Sequence, residues 1–180
     1  MRRLLSIALI GFALIGMTRS AFALDPENTI YLDTKDGRVV IELLPEVAPE
    51  HVARIKELTR KGFYNGIVFH RVIEGFMAQT GDPTGTGTGG SDLPDLKAEF
   101  NDEAFWTGSV GMARSNSPDS ANSQFFICLD NANFLDGKYT LFGRVVEGME
   151  IVDKIKRGEP PVDPDKIVKM QVAADADQKQ

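Results

Sequence analysis

Between residues 29 and 172, short apolar runs alternate with Gly, Pro, Asp and Asn, and only two stretches have a helical period. Thr29 to Asp33 and Arg38 to Leu43 flank Asp36-Gly37, a two-residue hairpin signal. Val68 to Val72, Phe76 to Thr80, Ser109 to Ala113, Gln124 to Leu129, Leu141 to Val146 and Ile167 to Val172 read as further strands. Pro49 to Lys61 reads as a helix. Pro49 suits its first turn, Arg60 and Lys61 suit its negative end, and Gly62 stops it. Val52, Ile55 and Leu58 form its buried stripe, and His51 reads as solvated. Met149 to Arg157, after Gly148, reads as the second helix. About eight strands and two helices predict a mainly β fold: a closed eight-stranded antiparallel barrel capped by the helices.

The first residues stand apart from this pattern. Met1-Arg2-Arg3 is basic, Leu4 to Met17 is apolar and small, and Ala21-Phe22-Ala23 offers small residues two apart. Residues 1–23 therefore read as a signal peptide cleaved after Ala23, which predicts a periplasmic or secreted protein without a stable membrane association. Residues 24–173 have the length of one domain, and 174–180 read as a frayed polar tail. The whole chain carries a formal charge of −6. Cleavage would remove three arginines and no acid. That balance argues against a nucleic-acid partner, which needs basic patches. Cys128 lies in an apolar run and reads as a small buried hydrophobe. One cysteine and two histidines do not suit a structural zinc site.

The chemistry concentrates in one stretch, Phe69 to Asp82, where Arg71 and Gln79 sit among Phe76, Met77 and other apolar residues. An arginine in such company is costly without a partner, and Gln79 lies within one hairpin's reach. Ser123 to Cys128 adds Gln124 and Phe126. Phe134 to Tyr139 adds an apolar pair and a tyrosine. Together they predict an apolar pocket with a fixed cation at its rim.

Two other motifs carry less. Gly85, Gly87 and Gly90 fit a loose G-x-G-x-x-G pattern, but Ser91-Asp92-Leu93-Pro94 follows where a nucleotide-binding helix would have to open. The serines between 115 and 123 lack the G-x-S-x-G elbow of a hydrolase.

In the order and spacing of Phe69 to Asp82, Gly87 to Gly90, Ser123 to Ile127, Leu135 to Lys138 and Phe142-Gly143, the chain resembles the cyclophilins. These are the cyclosporin-binding peptidyl-prolyl cis-trans isomerases, and the set is similar to their bacterial exported branch. The resemblance implies a monomeric enzyme without cofactor or metal, acting on proline-containing polypeptides in the folding of exported proteins. It implies that Arg71 is the catalytic arginine, supported by Gln79. It further implies that Phe76, Met77, Phe126 and Leu135 wall the proline pocket. Ala113, Arg114 and Ser115 would pair with substrate through their backbone, with Gln124 beside them. Gly87 matches a loop glycine near the groove, and His70 matches the histidine beside the arginine. Phe134 stands where many eukaryotic members have a tryptophan that grips cyclosporin, and Tyr139 where they have a histidine, which implies weak cyclosporin binding. Arg114 replaces an asparagine. A binding module that holds proline-containing peptides as a chaperone, without important turnover, is the alternative.

Overall fold

A computed structural model describes residues 24–176. The proposed signal peptide and the last four residues lie outside that range. The eight expected strands are all present: β1 (Thr29–Thr34), β2 (Gly37–Leu43), β3 (Arg71–Ile73), β4 (Met77–Thr80), β5 (Ser109–Met112), β6 (Phe125–Cys128), β7 (Leu141–Glu147) and β8 (Lys169–Val172). They form one antiparallel sheet in the order β3-β4-β6-β5-β7-β2-β1-β8.

The sheet is not the closed barrel the sequence predicts. It curls through 205° as a half-barrel, with β3 and β8 at its two ends. Between those edges there is no ladder, only the isolated bridge Val68↔Lys166 and backbone bonds joining Gly66, Ile67 and Phe69 to Asp165 and Ile167. Residues 68–70, expected as the first part of a strand, run irregularly to meet 165–167, so β3 begins only at Arg71.

The first hairpin is displaced by one residue from expectation. Thr34 pairs with Gly37, so Lys35 and Asp36 make the turn and the glycine opens β2. Gly37 has φ +138, and a Cβ there would meet Ile151 Cδ1 at 3.0 Å, so both backbone and neighbour call for glycine.

Helix α1 (Pro49–Arg60) has Pro49 in its first turn but no side-chain cap from its own N-cap, Ala48. The cap comes from far along the chain: Glu99 accepts the N–H groups of Glu50 (3.1 Å) and His51 (3.0 Å). The same carboxylate meets His51 Nδ1 at 2.6 Å. His51 is therefore not solvated, as its position suggested, but fully buried. Val52, Ile55 and Leu58 do face the core, and α1 packs on β8.

Helix α2 (Met149–Val152) is one turn, not the nine-residue helix its pattern suggests. After Asp153 the chain tightens into i→i+3 bonds. Lys156 N–H then goes to Asp165 Oδ2 (2.9 Å) and Gly158 N–H to the Val72 carbonyl (2.8 Å). The backbone is captured by its neighbours before a second turn can form. The expected frayed tail is also held at first: Ala173–Asp175 forms a 3-10 turn, and Asp175 accepts from Arg60 Nε at 3.0 Å.

The sheet buries both faces near the site. Phe125 and Ile127 of β6 enter the main core with Ile30, Leu32, Ile41, Ile55 and Phe142. Phe126 and Cys128 point the other way, into a second cluster with Met77, Phe105, Ala132, Leu135 and Leu141. Burial pushes the Cys128 thiol up to about 12, which makes it the inert small hydrophobe expected. Among the described residues no helix is long and apolar enough to cross a membrane.

Candidate active site

Pairing across the sheet sets the site. Arg71 of β3 lies opposite Gln79 of β4, Gln79 opposite Phe126 of β6, and Phe126 opposite Gly111 of β5. These four positions form one row on one face. The next row on that face brings Met77 beside Cys128. Gly111 matters because a Cβ there would lie 2.6 Å from both Phe126 Cζ and Phe105 Cε1. The missing side chain lets the Phe126 ring settle over β5, stacked on Phe105 with centroids 5.8 Å apart.

A chain of amides orients the arginine. Gln124 Nε2 donates to the carbonyls of Gly87 (3.1 Å) and Gly89 (2.7 Å), so its Oε1 is left to accept from Gln79 Nε2 at 2.9 Å. Gln79 Oε1 in turn faces Arg71 Nη1 at 3.5 Å, the outer limit of a hydrogen bond. The loop carbonyls thus decide which way each amide points.

Beside this row lies a cleft of about 400 Å³. Its lining comprises Arg71, Phe76, Met77, Gln79, Ala113, Arg114, Phe126, Phe134, Leu135 and Tyr139, ten of the positions expected from sequence. Met77, Phe126 and Leu135 are buried, while Phe134 is 61% exposed at the mouth. Phe76 meets Phe134 at 5.3 Å and Phe126 meets Tyr139 edge-on at 5.9 Å. The Arg114 guanidinium lies 4.4 Å over the Tyr139 ring and donates to the Lys138 carbonyl. Those contacts hold it at the rim.

Four expected residues lie outside this cleft. Gly87, Ser115 and Gln124 line a second, polar cavity of about 530 Å³ that shares Gln79, Ala113 and Arg114 with the first. The Ser115 hydroxyl is paired with Ser120 Oγ at 2.7 Å. Ala113 N–H is already given to the Gln124 carbonyl (3.0 Å), so pairing with a peptide along this segment must use its other backbone groups. His70 is buried and lines a third cavity, of about 470 Å³, behind Arg71.

Sequence reasoning missed two residues here. Asp82 is buried and organises the glycine loop, accepting from Thr84 N–H (2.7 Å), Thr84 Oγ1 (2.8 Å), Gly87 N–H (2.6 Å) and Gly89 N–H (3.1 Å). Burial opposes its charge, but these donors win and hold its pKa at about 2. An acid followed by a Thr/Gly-rich run is a visible signal for such a cradle. Glu159, which accepts from Arg71 Nε at 2.7 Å, has no such signal.

Burial also pushes the His70 pKa below the ordinary histidine value, with Asp82 opposing. At neutral pH it is uncharged, and the Gln124 side chain lies beside its ring. The mechanism moves no proton, so the rate of proline isomerisation is expected to be flat from about pH 6 to 9. A peptide assay across that range and below it checks this, and a step below the ordinary histidine value would assign proton transfer to His70.

Comparison with known proteins identifies the family. The family model for "Cyclophilin type peptidyl-prolyl cis-trans isomerase/CLD" matches residues 29–172. The chain is 54% identical over 177 residues to a probable peptidyl-prolyl cis-trans isomerase of Brucella suis, covering 89% of this chain and 90% of that protein. It is 42% identical over 152 residues to human peptidyl-prolyl cis-trans isomerase-like 1, covering 80% and 91%. Among solved structures, a cyclophilin of Hirschia baltica superposes with a TM-score of 0.78 at 34% identity, covering 84% of this chain and 76% of that one. A cyclophilin type isomerase of Cryptosporidium parvum, solved in the presence of the dipeptide Ala-Pro, gives 0.74 at 27% identity, covering 80% and 98%. Family model, relatives and fold agree, and the chain belongs to the cyclophilin-type peptidyl-prolyl cis-trans isomerases (EC 5.2.1.8).

Proposed function

We propose that this isomerase accelerates rotation about Xaa-Pro bonds in exported polypeptides as they fold, and that Arg71 carries the catalysis. The observation behind this is the arginine held at the rim of an apolar cleft by Gln79. Rotation about a peptide bond faces a barrier of roughly 18–20 kcal/mol because it breaks amide resonance. Uncatalysed exchange at proline takes on the order of 10–100 s. In the twisted state the proline nitrogen leaves conjugation, becomes pyramidal and regains a lone pair. A donor that meets this lone pair stabilises only the twisted form, which is what acceleration requires. Arg71 supplies such a donor without any proton changing hands. Met77, Phe126, Leu135 and Phe76 hold the ring and exclude water, and the backbone near Ala113 and Arg114 restrains the chain on one side while the other turns.

That the Cryptosporidium isomerase was solved in the presence of Ala-Pro supports a proline-containing ligand for this chain. The role in export rests on the Leu4 to Met17 run and Ala21-Phe22-Ala23, outside the described residues. A periplasmic location, or full secretion, would follow from it. N-terminal sequencing of the protein from an envelope extract is expected to begin at Leu24. A chain retaining Met1 in the membrane fraction would contradict export by cleavage. The opposing case of a holding chaperone without turnover is tested on the Arg71→Ala protein, by comparing peptide isomerisation with suppression of aggregation of an unfolding client. Loss of the first with retention of the second would show two separable activities.

A further inference from the structure

Gln79 by itself is a loose restraint on Arg71, at 3.5 Å and on one nitrogen only. The guanidinium has a second edge, and there Nε donates to Glu159 Oε2 at 2.7 Å. We propose that Glu159 is a positioning residue for Arg71. Building on the reading of Arg71 as the catalytic donor, its carboxylate fixes the guanidinium plane so that the terminal nitrogens meet the proline cleft.

Three observations carry this. The first is anchoring. Gly158 exchanges two backbone hydrogen bonds with Val72, each 2.8 Å, so acid and arginine each sit one residue from a closed bridge between the loop and β3. Gly158 has φ +147, and a Cβ there would fall 2.5 Å from Pro161 Cα, so the loop shape that presents Glu159 depends on that glycine. The second is direction. Glu159 reaches Arg71 from the third cavity, with His70 and Pro160, and is absent from the lining of the proline cleft. It therefore orients the arginine without occupying substrate space. The third is energetic. The side chains of the pair are 41% and 51% exposed. An ion pair so open to water contributes little to stability, so its short geometry serves the arginine more than the fold. A charge-assisted bond on Nε and an amide on Nη1 define a plane, which either alone does not.

Peptide isomerisation measured by NMR exchange, which resolves slow variants, tests the proposal on the full-length enzyme. Glu159→Ala is expected to lower kcat about tenfold with KM and Tm little changed, less than the ~10²-fold that serious misplacement of a reacting group costs. Glu159→Gln keeps an acceptor oxygen and should recover most of the loss. In an Arg71→Ala background, Glu159→Ala should have no further effect, because it acts through the arginine. Unchanged kcat in Glu159→Ala beside a crippled Arg71→Ala overturns the proposal and leaves the role of Arg71 standing. An equal loss in both backgrounds, with a fall in Tm, also overturns it, since that is the behaviour of a loop prop. Near-normal turnover in Arg71→Ala overturns both readings together.

Discussion

Replacing Arg71 with Ala is expected to lower kcat/KM for a proline peptide by about 10²–10³-fold, the usual cost of removing one transition-state donor. The loss should fall on kcat, because the walls that bind the ring, Met77, Phe126 and Leu135, do not depend on the arginine for their burial. Thermal stability should hardly change. Arg71 gives up an exposed ion pair with Glu159 and a long contact to Gln79, and neither anchors the core. Arg71→Lys should rescue poorly, since an ammonium cannot satisfy Glu159 and Gln79 on two edges while presenting a further donor to the cleft. A circular dichroism melt beside the kinetics separates this outcome from simple unfolding.

Phe134→Trp is expected to raise sensitivity to cyclosporin by roughly ten- to a hundredfold, the worth of a larger aromatic contact plus one hydrogen bond. Phe134 sits in the 3-10 turn Asn133–Leu135 at the mouth of the cleft, mostly exposed and in contact with Phe76. A larger ring there meets no packed core, so the fold and the proline pocket should tolerate it. Phenylalanine offers no N–H, and a macrocycle that needs one is expected to bind the natural enzyme weakly. Catalysis uses the deeper pocket and should survive the change. Titration of both proteins with cyclosporin in the peptide assay decides the matter. Tight inhibition of the natural enzyme, or no gain in the tryptophan variant, would remove Phe134 as the determinant.

Period and punctuation were enough to read the number and order of strands, because each is a short apolar run between turn residues. They were not enough to read closure. Whether β3 and β8 pair depends on where residues 67–70 meet 165–167, a contact between segments almost a hundred positions apart. Helix α2 was overread for a similar reason: residues 153–157 have a helical pattern, but Asp165 takes the backbone donor of Lys156 and Val72 that of Gly158 just beyond. His51 looked solvated because its burial is decided by Glu99, which reaches the helix from a loop.

The cleft was more legible than the surroundings of its arginine. Phe76, Met77, Gln79 and Arg71 lie within one hairpin, so their meeting follows from register alone. Phe126 joined them through the next strand, although β6, buried on both faces, gives no alternation from which to tell Phe126 from Phe125. Glu159 comes from 88 residues away, between a glycine and two prolines, in a segment that looks like a plain extended loop.

The central claim is that Arg71 stabilises the twisted amide, not the bound ground state. The direct measurement is the on-enzyme exchange rate of a proline peptide at saturation, by NMR, alongside its dissociation constant, for the natural enzyme and Arg71→Ala. The expected result is a dissociation constant changed by no more than about threefold and an exchange rate lowered about 10²–10³-fold. An unchanged exchange rate with weakened binding would contradict it, since the arginine would then hold the substrate equally in both states.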